Sequence, residues 1–240
     1  MSYIGLHNHT HYSNFRLRDS TNKIPELMNY VHSLGHCGIA ITEHECISSA
    51  IEVEKYITDI KQTDEDGSWE DFKYILGNEI YLCTPDINKD NPEHLRFPHF
   101  ILNALDDKGH EQIRKLSTTA WSHSFMRSGM MRVPTYYDDL FNIIGEDSGH
   151  VVGQTACLGG IIPIKLLEAR NERNEDLSII ENWLNIINQL FGQGKFFLEL
   201  QPSHNEDQIY VDTATDREAA PYVDEVIQTA EANGAELQIW

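Results

Sequence analysis

The chain has 240 residues, of which 40% are hydrophobic and 10% aromatic, and a formal net charge of −20 at pH 7. This length allows one domain with a large core, and the composition is typical of a soluble globular protein. With 18 Lys and Arg against 38 Asp and Glu, the charge excludes a broad phosphate-binding surface, although divalent cations in an acidic cleft would still accept a phosphate substrate.

Short β-rich apolar segments alternate with helical patterns, which predicts βαβ units, a mostly parallel sheet and one α/β domain over residues 1–240. The predicted strands are 3–7, 38–42, 74–82, 99–104, 150–155, 196–200 and 235–240. The predicted helices are 24–34, 46–61, 110–125, 135–144, 164–173, 177–191 and 216–233. The acidic segment 63–70 and the proline-containing segment 83–98 are predicted to be loops.

Two of these helices have specific sequence signals. Pro25 suits the first turn of the first helix, and Gly35 suits the position after its end. The second helix is predicted to turn four residues toward the core: Ile47, Ala50, Ile51 and Ile57.

The localisation signals and cysteines point to an intracellular protein. No apolar stretch is long enough to cross a membrane, and the N-terminus lacks the basic flank and apolar core of a signal peptide. We therefore expect a cytoplasmic protein without membrane contact. The four cysteines (Cys37, Cys46, Cys83 and Cys157) have no short paired spacing, which favours reduced thiols with one candidate metal ligand among them.

His7 and His9 lie two residues apart at the end of the first predicted strand. Successive side chains of a strand alternate between its faces, so both imidazoles would share a face with Cα atoms about 6.5–7 Å apart. That spacing lets both rings bind one cation. Taken alone, the pair is equally compatible with two polar residues on an exposed strand face.

Further ligand-type side chains recur where other strands begin or end. Active sites of parallel α/β barrels collect at the carboxyl ends of the strands, and His, Glu and Cys are ligands that Zn²⁺ and similar metals prefer. The candidates at these positions are His44, Glu79, His99 and Cys157, with Glu43, Glu199 and Gln201 beside them. Asp19, in the first loop, could complete a metal shell or form an Asx turn with Ser20.

Each candidate also has a purely structural interpretation. Glu43 and His44 could cap the following helix, and Glu79 could be a buried carboxylate in an ion pair. His99 and Cys157 could be ordinary buried residues. Glu199 and Gln201 could line the rim of the barrel or bond to the backbone.

The ordered motifs resemble those of the PHP (polymerase and histidinol phosphatase) family. Residues 6–10 with Tyr12-Ser13 and Asp19-Ser20 resemble its first motif, residues 40–44 its second and residues 77–79 its third. Four stretches are similar to the PHP domain of the bacterial replicative polymerase, the DNA polymerase III alpha subunit: residues 99–104, 115–117, 157–163 and 196–201.

The resemblance implies a distorted seven-stranded (β/α) barrel that holds up to three divalent metals and hydrolyses phosphate esters with metal-bound hydroxide. Zn²⁺ suits the mixed ligand set best, and Mn²⁺ or Fe²⁺ also fit. The implied ligands are His7, His9, Asp19, His44, Glu79, His99 and Cys157, with Glu79 bridging two metals and with Glu79 and His9 central to catalysis. The implied substrate is a DNA 3′ end, cleaved by 3′–5′ exonuclease activity, or another phosphate ester, and the implied partners are the remaining polymerase domains and replisome subunits.

Two departures from the family pattern leave other functions open. The loop between His9 and Asp19 is long, and no Asp-x-His follows Gln201, where the family normally supplies one after the seventh strand. We therefore expect an N-terminal piece of a longer polymerase, lacking the segment after the last strand, with partial metal loading and low activity. The alternatives are a non-catalytic PHP domain that stabilises a polymerase and docks a subunit, and a free-standing small-molecule phosphatase.

Overall fold

The computed structural model describes residues 3–15, 20–83, 97–127, 129–172, 178–192, 194–201 and 209–211. Within them the chain forms a curled, half-barrel sheet of seven strands with helices packed against it. This confirms the predicted α/β class and shows part of a barrel. The predicted helix 216–233 and the predicted strand 235–240 lie outside the described residues.

The strands are β1 (Ile4–Gly5), β2 (Gly38–Ile41), β3 (Lys73–Cys83), β4 (His99–Ala104), β5 (Phe125–Arg127), β6 (Met130–Arg132), β7 (Pro134–Tyr136), β8 (Val151–Gln154) and β9 (Phe196–Phe197). The helices are α1 (Ile24–Ser33), α2 (Ala50–Thr63), α3 (Asp107–Ser122), α4 (Tyr137–Ile143), α5 (Ile161–Glu172) and α6 (Ser178–Phe191). Short 3-10 helices cover His11–Phe15 and Gly145–Asp147. No helix in the described part of the chain combines the length and apolar character needed to span a bilayer.

The strand β3 organises the sheet. The sheet order is β1-β2-β3-β4-β8-β9, and β7 pairs with the end of β3. The first part of β3 pairs in parallel with β2, its middle pairs antiparallel with β4, and its last residues pair in parallel with β7. Four of the six pairings in this sheet are parallel, as predicted, and β4 is the exception because it runs antiparallel to both β3 and β8.

The start of α2 is predicted wrongly. The sequence analysis begins this helix at residue 46, but the backbone N–H of Glu45 donates to the carbonyl of Glu79 at 2.7 Å and Glu45 has a φ of 56°. Both features keep the segment before α2 out of helical geometry. The prediction for Ile51 is also wrong: it is 77% exposed, and Val53 is the fully buried residue on this turn.

Other predicted boundaries shift for local reasons. The helix predicted over 110–125 begins earlier because Asp106 caps it, accepting a hydrogen bond from Gly109 N at 2.9 Å. Residue Thr135 belongs to β7 instead of a helix, since this segment pairs with the end of β3. The hairpin of β5 and β6 is not predicted, and β1 and β9 have only two residues each.

The core beneath β4 and β8 is a stack of aromatic rings. The Phe100 ring centroid lies 5.7 Å from that of Phe191 and 6.0 Å from that of Phe196. The chain passes next to this stack at Gly153, where a Cβ atom would lie 2.8 Å from Phe191 Cε2 and 2.9 Å from Phe100 Cζ. Position 153 therefore has no room for a side chain unless the rings move.

The substitution Gly153→Ala is expected to lower the free energy of unfolding by about 1–3 kcal/mol, because it overpacks the aromatic stack. Chemical denaturation measures the change. The matched control is Gly145→Ala, whose new Cβ would lie 3.5 Å from Phe141 Cδ1, an ordinary van der Waals contact. Equal destabilisation by the two substitutions would contradict this packing argument.

Candidate metal centre

The segment after β1 presents the first pair of histidines. Beyond Gly5 this segment continues along β2 through Asn8, whose N–H donates to Thr42 Oγ1 at 3.0 Å and whose carbonyl accepts from Thr42 N at 2.8 Å. The pair therefore lies just past the strand rather than on it. The two rings nevertheless meet, with His7 Nε2 and His9 Nε2 3.1 Å apart.

Backbone pairing places Glu79 and the other two histidines beside this pair. The amide of Glu79 donates to Glu43 O at 3.0 Å, and a parallel bridge sets His44 opposite Glu79. On the other side of β3, the antiparallel register pairs Tyr81 with His99. The antiparallel direction of β4 thus brings its first residue to the end of the sheet where β2 finishes.

Glu79 lies at the centre of four imidazoles, and its side chain is 1% exposed. One carboxylate oxygen, Oε2, lies 3.0 Å from His7 Nε2 and 3.0 Å from His9 Nε2. The other oxygen, Oε1, lies 3.5 Å from His44 Nδ1 and also contacts His99 Nδ1. The site thus comprises two groups of ligand atoms that share Glu79, and within each group the atoms lie within 4.8 Å of one another.

The dimensions of the first group fit a metal ion. Ligand atoms bound to one cation at about 2.0–2.1 Å are roughly 2.8–3.4 Å apart, with the short end of this range in octahedral and the long end in tetrahedral arrangements. The triangle formed by His7 Nε2, His9 Nε2 and Glu79 Oε2 has edges of 3.1, 3.0 and 3.0 Å. Imidazole nitrogen and carboxylate oxygen also suit Zn²⁺ and related divalent metals. The residues present therefore fit the cations that the sequence implies.

The charges at the site stabilise one another. Burial opposes the charged form of His7, yet hydrogen bonds with Glu199 and Glu79 raise its pKa to about 10. Burial likewise opposes the charged form of His99, but contacts with Cys157 and Glu79 raise its pKa to about 9. Burial alone would raise the pKa of Glu79, whereas hydrogen bonds from the surrounding histidines hold it well below its usual range. Protons at these rings supply the positive charge that a bound cation would bring.

The ligand candidates surround a cavity of about 400 Å³. It is lined by His7, His9, His44, Glu79, His99, Cys157 and Gln201. Cys157 Sγ lies 3.5 Å from His99 Nδ1 but belongs to neither of the two ligand groups found among the described residues. Its role as a ligand stays a prediction. Asp19, the remaining predicted ligand, lies outside the described residues.

Two carboxylates next to the site, those of Glu199 and Glu43, make contacts that the sequence analysis did not predict. Glu199 Oε1 accepts hydrogen bonds from His7 Nδ1 and Gln201 Nε2, both at 2.7 Å, so Glu199 orients the ring of His7. Glu43 is 1% exposed and does not cap α2; it accepts hydrogen bonds from Thr10 and Ser13. The position of Glu199 at a strand end was a sequence signal for its contact with His7. No spacing in the sequence links Glu43 to Thr10 and Ser13.

Comparisons with known proteins agree with these motifs. A family model described as the PHP domain matches residues 5–203. The chain is 41% identical over 218 residues to a "Probable DNA polymerase YorL" of Bacillus subtilis, and 28% identical over 211 residues to the DNA polymerase III subunit alpha of Treponema pallidum. It is also 30% identical over 175 residues to the DNA polymerase III subunit alpha of Helicobacter pylori.

These alignments cover most of this chain but little of the relatives. They cover 86%, 87% and 72% of this chain, in the same order, and 17%, 16% and 12% of the three relatives. The chain thus spans less than a fifth of the length of the curated relatives that it matches.

We expect the metal-free protein to lose stability as the pH rises from about 6.5 to about 10. The folded-state pKa values of His7 and His99 are raised above 6.5, so their contribution is complete below 6.5 and is lost as each ring deprotonates. Metal affinity should rise over the same range, because cations compete with these protons. Denaturation in the presence of a chelator and Zn²⁺ titrations at several pH values measure the two trends.

The variant His7→Gln controls for titration elsewhere in the protein, since it removes the largest raised histidine pKa of the site. Its stability should depend less on pH than that of the unaltered protein. Identical pH profiles for the two proteins would contradict the assignment.

Proposed function

The chain belongs to the PHP domain family, and on this premise we propose that it is a metal-dependent phosphoesterase domain of a DNA polymerase related to the DNA polymerase III alpha subunit. One observation carries the proposal: each oxygen of the buried Glu79 carboxylate faces a different pair of histidines. A carboxylate placed in this way could bridge two neighbouring divalent cations, the arrangement that a two-metal phosphoesterase site uses.

The proposed ligand sets follow from the two groups of atoms. His7, His9 and Glu79 Oε2 would hold one cation, and His44, His99 and Glu79 Oε1 would hold a second. Asp19 and Cys157 are proposed as additional ligands, which would allow up to three cations. We propose Zn²⁺ as the metal, with Mn²⁺ or Fe²⁺ also suited to the donor set. Bound cations of this kind activate water and neutralise the charge of a phosphoryl group.

The residues of the chain hold this arrangement in place. Glu79 is fixed by backbone hydrogen bonds to Glu43 and Glu45, so its carboxylate sets the separation of the two ligand groups. Glu199 holds the ring of His7 through Nδ1 and leaves Nε2 directed at the site. Among the described residues that line the cavity, none has a hydroxyl side chain and Cys157 is proposed as a metal ligand, which favours attack by water.

The proposed substrate is the 3′ end of a DNA strand, cleaved in the 3′–5′ direction. The relatives are named as DNA polymerases, which supports a site that works on nucleic acid. With 38 acidic and 18 basic residues, this domain has little positive charge with which to hold a DNA backbone. We therefore propose that other polymerase domains or replisome subunits deliver the strand to the cavity.

A second candidate function is a non-catalytic domain that stabilises a polymerase and docks another subunit. The observation that favours it is the net charge of −20, which suits a scaffold better than a surface that binds DNA by itself. In this case the histidine and Glu79 cluster would bind cations without turnover.

The variant His9→Ala is expected to abolish phosphoesterase activity, as is removal of metal with a chelator. The loss should exceed the roughly 10–100-fold that follows from removing a residue that merely orients a ligand. Cleavage of a 3′-recessed DNA and of a panel of phosphate esters, with Zn²⁺ or Mn²⁺ added, measures the effect. His11→Ala is the matched control, because His11 is an exposed histidine of the same segment.

Activity that survives both treatments would contradict a metal-dependent mechanism. Metal binding without hydrolysis of any of these substrates would instead support the non-catalytic candidate.

Metal stoichiometry tests the shared role of Glu79. The reloaded protein should bind at least two Zn²⁺ per chain, as measured by elemental analysis after gel filtration. His9→Ala should lose one cation and Glu79→Ala at least two, because only Glu79 belongs to both ligand groups among the described residues. Loss of a single cation in both variants would argue against a bridging carboxylate.

A further inference from the structure

The hydroxyl of Ser13 lies behind the metal centre, and its residue is 1% exposed. Three groups surround the hydroxyl. It donates a hydrogen bond to Glu43 Oε2, and its oxygen lies 3.2 Å from the backbone N of His44 and 3.2 Å from Nδ1 of His9. None of these contacts uses an atom of the two ligand groups, whose atoms from these residues are Nε2 of His9 and Nδ1 of His44.

The groups around the Ser13 hydroxyl allow only one set of hydrogen-bond directions. A hydroxyl has one hydrogen to donate and two lone pairs to accept with. A carboxylate only accepts, so the hydrogen of Ser13 goes to Glu43. The backbone N–H of His44 only donates, so it takes one lone pair. The second lone pair must accept the hydrogen carried by Nδ1 of His9.

Glu43 is held so that this assignment cannot easily reverse. Its carboxylate also accepts hydrogen bonds from the backbone N of Thr10, at 3.3 and 3.2 Å to its two oxygens, and from the Thr10 hydroxyl. Because Glu43 is 1% exposed, water cannot replace Ser13 as a donor without opening this contact. The carboxylate therefore draws the hydrogen of Ser13 away from His9.

We propose that Ser13 and Glu43 are positioning residues that hold neutral His9 with its hydrogen on Nδ1 and leave Nε2 without one, because His7 Nε2 supplies the hydrogen that Glu79 Oε2 accepts there. This inference rests on the proposed function, since a divalent cation is the ligand that the lone pair of Nε2 would bind. A histidine ligates through one ring nitrogen, and the hydrogen bond at the other nitrogen decides which one is available. With the opposite tautomer, Nε2 would carry a hydrogen and His9 could not complete the first ligand group.

The test combines a spectroscopic readout with Zn²⁺ titration of the full chain. Imidazole nitrogen NMR of the metal-free protein, labelled with nitrogen-15 at histidine and measured where His9 is neutral, reports which nitrogen carries the hydrogen. We expect Nδ1–H in the unaltered protein and a mixture of tautomers in Ser13→Ala. The Zn²⁺ affinity of Ser13→Ala should fall by about 10–100-fold.

The matched control is Ser20→Ala. The Ser20 hydroxyl donates to the backbone carbonyl of His9 at 3.1 Å, and Asn22 Nδ2 donates to the same carbonyl, also at 3.1 Å. The control thus removes a serine hydroxyl bonded to the same histidine but not to its ring. It should leave the His9 tautomer and the Zn²⁺ affinity unchanged. Glu43→Gln is a second variant that keeps the shape of the Glu43 side chain. It should lower the fraction of His9 that carries its hydrogen on Nδ1.

Three results would overturn the proposal: Nε2–H as the tautomer of His9 in the unaltered protein, an unchanged tautomer in both Ser13→Ala and Glu43→Gln, or equal loss of Zn²⁺ affinity in Ser13→Ala and Ser20→Ala. The tautomer measurement needs no metal. If the unaltered protein binds no Zn²⁺, the proposed function fails, and the NMR result still decides whether Ser13 and Glu43 set the tautomer.

Discussion

The burial of the Glu79 carboxylate is the constraint on which the rest of the site depends. An ionised carboxylate that is 1% exposed is strongly unfavourable unless positive charge and hydrogen-bond donors surround it. Four imidazoles from three separate segments of the chain meet this requirement in the described structure. Protons and divalent cations are alternative sources of the same positive charge, which links the ionisation of the histidines to the affinity for metal.

The topology of the sheet makes this arrangement possible. Parallel strands alone would bring only carboxyl ends to the site, but β4 runs antiparallel and contributes His99 from its first position. The turn after β8 lies against the start of β4, because the backbone N of His99 donates a hydrogen bond to Gly159 O at 2.9 Å. A Cβ at Gly159 would lie 3.1 Å from atoms of the His99 ring, so the close approach of this turn depends on glycine.

Much of this could be predicted from the sequence, because strand ends and helix ends have local signals. The periodicity and the residues Pro25 and Gly35 correctly predicted α1, and the alternation of apolar segments placed β2, β3, β4 and β8 within one or two residues. The convergence of His7, His9, His44 and His99 followed from their places near strand ends, whereas Glu79 joins them from within β3. The direction of β4, the late start of α2 and the contact between Ser13 and Glu43 depend on pairings between distant segments, for which the sequence has no local signal.

The continuous strand β3 has a consequence for how the domain comes apart. Its 11 residues hold β2, β4 and β7 together and include Glu79 at their centre. Opening the pocket by releasing β3 would therefore also separate the two halves of the sheet. Amide hydrogens around residue 79 should exchange with solvent only through global unfolding, so that the candidate metal centre and the scaffold form a single cooperative unit.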